Sequence, residues 1–191
     1  SVSSPDMNAF YRVTALWGSQ QGSLLFWSLL MSLFAVGAIV LNWRSHRRLM
    51  PYVIAYTMAT LAFFLALSVF FENPFERFWI MPNNEVVQTV LMPANAVPPS
   101  AARLAETSNG LNPLLRHFGM IIHPPMLYLG FVGFVIPFAF AMAALASGDL
   151  STNWINATRR WALVAWLFLG LGLILGGRWA YDVLGWGGYW G

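Results

Sequence analysis

The sequence contains no cysteine and no lysine, and charged residues make up only 9% of its 191 positions. The missing cysteine excludes disulfides, thiolate metal sites and thiol redox chemistry by this chain itself. Soluble domains carry about a quarter charged residues, so a water-soluble globule is excluded as well. All ten basic residues are arginines, scattered in small sets. That pattern lacks the basic stripe a nucleic-acid partner requires, so no nucleic acid is expected. What the chain has instead is apolar: 58% of its residues, including ten Trp, with fifteen Phe and six Tyr. It begins at Ser1 without Met and stops at Gly191 inside an aromatic and glycine run. It therefore reads as a piece of a longer membrane protein.

A bilayer core is ~30 Å thick, so a spanning helix needs about 20 mostly apolar residues. Four stretches qualify: residues 23–43, 51–71, 124–145 and 161–177. The expected fold is all-α, a polytopic transmembrane bundle with four spanning helices in a lipid bilayer. The 44–50 loop carries Arg44, His46, Arg47 and Arg48 and no acid, and the 146–160 loop sets Arg159 and Arg160 against Asp149. Short arginine-rich loops stay cytoplasmic. Residues 1–22, the 72–123 loop and the 178–191 segment are then expected outside. The middle of the long loop, 81–110, is rich in Pro, Asn, Ala and Ser. Such a composition buries little surface and is expected to be irregular. Pro137 is expected to kink the third span.

Two features converge on the outer side. The first is Gly119 to Gly130, with His123-Pro124-Pro125 at its centre. Proline is tolerated in a first helical turn, and the residue before it is pushed to extended geometry. His123 is thereby expected at the outer N-terminus of the third helix. The positive end of the helix dipole disfavours imidazolium there, and neutral imidazole is the metal-ligating form. A bland alternative is an interfacial histidine bonded to a loop carbonyl. His117 lies six positions earlier, roughly 240° away around a helix, so the two cannot face one metal together. His117 is expected in the loop, and His46 is expected to be solvated among its arginines. Gly172 and Gly176 fit the small-xxx-small pattern of helix packing.

The second feature runs from Arg178 to Gly191 and holds five aromatics, Trp179, Tyr181, Trp186, Tyr189 and Trp190, with Gly185, Gly187, Gly188 and Gly191 among them. An interfacial aromatic belt explains one or two of these, but not the interleaved glycine. Glycine lets backbone approach a flat object closely. A porphyrin fits best, ahead of a quinone or an aromatic lipid. Arg178 either binds the carboxylates of such a ligand or pairs with Asp182.

In order along the chain, Leu111-Asn112-Pro113, then His123-Pro124-Pro125-Met126-Leu127-Tyr128-Leu129-Gly130, then Gly185-Trp186-Gly187-Gly188-Tyr189-Trp190 resemble the heme-handling membrane family with a tryptophan-rich periplasmic motif. The Ala15 to Leu25 stretch and Asn73-Pro74-Phe75 look like its heme lyase branch, which serves c-type cytochrome maturation. The resemblance implies a bacterial inner (cytoplasmic) membrane protein with a heme site on the periplasmic side. Heme would arrive from a periplasmic heme chaperone and be joined by thioethers to the C-x-x-C-H motif of apocytochrome c. His123 maps to one axial iron ligand, and Trp186, Gly187, Gly188, Tyr189 and Trp190 map to the front of the aromatic platform, flanked by Arg178 and Trp179. Implied partners include other maturation membrane subunits, among them a thioredoxin-like subunit that binds apocytochrome, and the remainder of the same polypeptide. The second axial histidine is not in this chain, which is expected to carry half a site and not to act alone. A heme-delivery module without bond-forming activity is the alternative.

Overall fold

The fold is taken from a computed structural model, in which residues 8–100, 116–149 and 151–186 are described. A short helix α1 (Ala9–Thr14) leads into α2 (Gln20–Asn42) and α3 (Met50–Phe70). A two-stranded antiparallel hairpin follows, β1 (Arg77–Ile80) with β2 (Val86–Thr89). Then come α4 (Phe118–Gly133), α5 (Val135–Ser147) and α6 (Asn153–Trp179), which runs on as a π turn, Ala180–Leu184. Four spans among the described residues are long and apolar enough to cross a membrane: 20–42, 50–70, 118–147 and 153–184. This is a membrane protein with the expected helical architecture.

The turn into α2 shows why its residues are needed. Ser19 caps the helix, its hydroxyl accepting the Gly22 N–H at 3.1 Å. A side chain at Gly22 would collide with the Leu16 carbonyl. Ser23 donates to the Trp17 carbonyl at 3.1 Å and meets the Tyr128 hydroxyl at 3.2 Å, tying the start of α2 to α4. Inside the spans, Ser28, Thr57, Ser68 and Thr158 return their hydroxyls to carbonyls four residues back. In hydrocarbon every polar group must be satisfied within the protein, and this local bond does so.

Two boundaries differ from the sequence expectation, and the expected break near Pro137 is present. The third span begins at Phe118, not at Pro124. His117 is extended (ψ 141°) and its Nδ1 accepts the Gly119 N–H at 3.1 Å, so it serves as the helix cap. Pro124 and Pro125 lie inside α4, where their absent N–H groups cannot bond the carbonyls of Met120 and Ile121. The interruption between α4 and α5 falls at Phe134, since Pro137 has no N–H to offer Gly133. The fourth helix starts eight residues before Trp161 and carries Arg159 and Arg160, both exposed, as helical residues.

The described part of the long loop between α3 and α4, residues 71–100, is more ordered than its composition indicates. A β-turn from Met81 to Asn84 closes on a 2.8 Å bond. Pro82 follows Met81, Asn84 takes the left-handed conformation (φ +67°), and Met81 N–H then bonds the Glu85 carbonyl at 2.9 Å. A turn followed by one left-handed residue is a common three-residue hairpin closure. Ile80 also pairs with Val97.

Packing falls into two buried clusters. At the arginine end, Met50, Val53, Ile136, Ala139 and Phe140 join α3 to α5. Toward the other end, Trp27 packs edge-on against Phe131 at 4.7 Å, Tyr128 at 5.4 Å and Phe64 at 5.8 Å. Edge-to-face pairs of this kind contribute beyond their buried area. The most extensive helix contact is α4 on α6, and it positions the candidate site.

Candidate functional site

The α4–α6 contact is a seam of small residues running antiparallel along both helices. A Cβ at Gly133 would fall 3.0 Å from Ala165 Cβ, and one at Gly130 would fall 2.5 Å from the Leu169 backbone nitrogen. Further along, a Cβ at Gly172 would fall 2.7 Å from the Leu127 backbone nitrogen, and one at Gly119 would fall 2.9 Å from Trp179 Cβ. Where side chains cannot intervene, helix backbones approach closely, which is the packing mode of membrane helices.

His123 lies within this seam. Its Nδ1 is 2.7 Å from the carbonyl oxygen of Gly172. A carbonyl only accepts, so Nδ1 carries the proton and donates it. In the neutral ring Nε2 is then the unprotonated nitrogen, and among the described residues it has no hydrogen-bond partner. One turn further along α6, a side chain at Gly176 would occupy the volume of the imidazole itself. Gly172 and Gly176 thus form the seat of the ring: one supplies the acceptor, the other the space. Their four-residue spacing marks helix packing in the sequence; in the fold it also seats the His123 ring. His123 stands five residues inside α4, half-buried, not ahead of the helix as the proline rule implied.

The start of the aromatic segment is helical. Arg178 Nε is bonded to Asp182 one turn on, in a partly exposed ion pair. Trp179 rests on Gly119 at the head of α4, half-buried. After the π turn, Gly185 is left-handed (φ +68°), and the N–H groups of Gly185 and Trp186 both donate to the Ala180 carbonyl. That glycine releases the chain with Trp186 exposed. Gly187, Gly188, Tyr189 and Trp190 lie outside the described residues, as does Leu111-Asn112-Pro113.

Two other expectations meet the structure here. His117 is the α4 cap and is separate from the His123 seat. His46 is not simply solvated: its Nδ1 is buried without a partner among the described residues, and its ring stands edge-on to Phe140 at 6.1 Å. A loop folded back onto α5 removes that nitrogen from water, which charge pattern alone cannot reveal. Among the described residues no three metal-ligating side chains converge. A cleft of about 670 Å³ at the end of the bundle away from the 44–50 loop, lined by Arg12, Leu16, Gln21, Asn73, Phe75 and Gln88, brings the Ala15–Leu25 and Asn73–Phe75 segments together.

The chain matches the family described as cytochrome C assembly protein over residues 17–191. It is 40% identical over 190 residues to the cytochrome c-type biogenesis protein CcmF of Escherichia coli K12, covering 100% of this chain and 26% of that protein. It is 38% identical over 185 residues to CcmF of Pseudomonas aeruginosa, covering 95% of this chain and 24% of that one. It is 36% identical over 185 residues to the cytochrome c-type biogenesis protein ccl1 of Rhodobacter capsulatus, covering 97% and 25%. The chain thus spans about a quarter of the length of the curated relatives it matches. No solved structure matches it.

Proposed function

The chain belongs to the cytochrome c assembly protein family, and we propose that it forms one half of a periplasmic heme site in a heme lyase subunit. The observation that carries this reading is the 2.7 Å bond from His123 Nδ1–H to the Gly172 carbonyl. A ligating histidine commonly donates its other ring N–H to a carbonyl or carboxylate, which fixes the ring and raises the basicity of the remaining nitrogen. His123 has that arrangement before any iron is present, so Nε2 is a preorganised axial donor. The residues fit the group: a neutral imidazole of fixed tautomer, with Trp186 exposed at the same end of α6.

In this reading His123 would hold the iron, and Trp186, Gly187, Gly188, Tyr189 and Trp190 would pack against the porphyrin. Trp179, seated on Gly119, anchors the base of that segment. Arg178, positioned through its Nε by Asp182, would direct its guanidinium toward a heme carboxylate. Bound heme supplies two vinyl groups, and each client thiol adds its S–H across one C=C bond to give a thioether. The sulfurs come from the client, consistent with a chain that has no cysteine. The remainder of the polypeptide would supply the opposite ligand. A periplasmic heme chaperone, apocytochrome c and other maturation subunits, including a thioredoxin-like one that binds apocytochrome, are its proposed partners.

The test is covalent heme attachment to a C-x-x-C-H client by the complete protein in a bacterial membrane. His123→Ala and Gly176→Val are each expected to reduce attached heme at least about tenfold, the usual loss when a ligand or its supporting shell is disturbed. Attachment unchanged in both variants would contradict the assignment. Retention of bound heme without any attachment by the wild type would favour a delivery module instead.

A further inference from the structure

At the arginine-rich end of the bundle two clefts abut. The first, of about 420 Å³, is lined by His46, Arg47, Arg48, Asp149, Asn153 and Asn156. The second, of about 490 Å³, lies between the end of α2 and the first half of α6, against Leu41, Arg160, Trp161 and Val164. Asn156 and Ala157 line both, so a polar compartment opens directly into an apolar one.

The polar compartment is cationic. Arg47 and Arg48 are exposed and face a single carboxylate, Asp149. Hydrogen bonds from the Ser151 backbone and side chain hold that carboxyl below its ordinary range, with Arg48 and His46 adding to the effect. Asp149 is therefore ionised and already bonded, and the two guanidiniums outnumber it. The N-terminus of α6 opens on the same cleft, and Thr152 gives it no side-chain cap. The apolar compartment has exposed Leu41 and Val164 as lining. Trp161 is held edge-on against Phe34 at 5.9 Å, which fixes that wall. A free anion would use only the first cleft, and a neutral lipid only the second.

We propose that this end of the bundle binds an anionic phospholipid, its phosphate on Arg47 and Arg48 and an acyl chain between Leu41 and Trp161. Arginine forks suit phosphate oxygens, and basic pockets between spanning helices are established seats for anionic headgroups. The proposal does not depend on the heme site, which lies at the other end of α6.

The test uses the full-length protein, equilibrated in detergent with equal phosphatidylglycerol and phosphatidylcholine and weighed intact by native mass spectrometry. The wild type is expected to retain phosphatidylglycerol in preference, and excess inorganic phosphate to leave it in place. Arg47→Gln with Arg48→Gln is expected to lower retention by roughly tenfold or more, at about fivefold per arginine. Asp149→Asn, which keeps the Ser151 bond, is expected to raise retention. Equal retention of the two lipids, as when another part of the polypeptide fills the groove, would overturn the proposal. So would unchanged retention in the double variant. Displacement by inorganic phosphate would overturn it in favour of a bare anion site.

Discussion

Two histidines stand toward opposite ends of the bundle, and their ring nitrogens are treated in opposite ways. His123 Nδ1 donates to the Gly172 carbonyl at 2.7 Å, in a seat cleared by Gly176. His46 Nδ1 is buried with no partner among the described residues, its ring against Phe140. Burial alone therefore does not make a ligand. What distinguishes His123 is that one nitrogen is committed, which defines the state of the other. An unsatisfied buried polar atom such as that of His46 costs on the order of 1–3 kcal/mol.

The comparison breaks most severely at Gly176. Replacing it with Val puts methyl groups where the imidazole lies, and heme bound by the full-length protein should fall at least about tenfold, as read from the Soret band. Retained heme in that variant would show that the ring has another seat. The next effect is on stability. Gly130→Leu forces the α4 backbone away from Leu169, and overpacking of this kind costs typically 1–3 kcal/mol, measurable as a lowered unfolding midpoint in mixed detergent. A smaller change of opposite sign is expected at His46. His46→Phe removes the unpartnered nitrogen while keeping an aromatic ring, and should be neutral or stabilising by about 1 kcal/mol, with heme content unchanged. The smallest is Arg178→Gln. Its partly exposed i,i+4 pair with Asp182 contributes about 0.3–0.5 kcal/mol, so unfolding should barely shift, and a larger loss of heme than of stability would mark a ligand contact.

These two regions also show what the amino-acid order made legible. The four spans were readable because an apolar run of bilayer length has one stable solution in lipid. Their ends were not. Apolarity marks where a helix meets water, and α6 continues past both limits, through Arg159 and Arg160 on one side and the π turn on the other. His117 as a cap, and Pro124 and Pro125 inside α4, went against local preference because α6 packs along that helix. The hairpin was hidden by polar composition, since its closure rests on one left-handed Asn84. His123 was recognisable as a candidate, but its seat was not. The 49-position separation of His123 and Gly172 carries no local signal that they meet, so glycines readable only as packing residues became part of the candidate site.

The most direct test is imidazole rescue of a ligand deletion. In full-length His123→Ala the account predicts a Soret band lost or strongly reduced, then restored by millimolar imidazole occupying the vacated seat between α4 and α6. The same imidazole should fail to restore Gly176→Val, where the seat itself is filled. A His123→Ala protein with an unchanged Soret band and unchanged axial-ligand spectrum would contradict the claim that His123 Nε2 is the iron ligand on this half of the site.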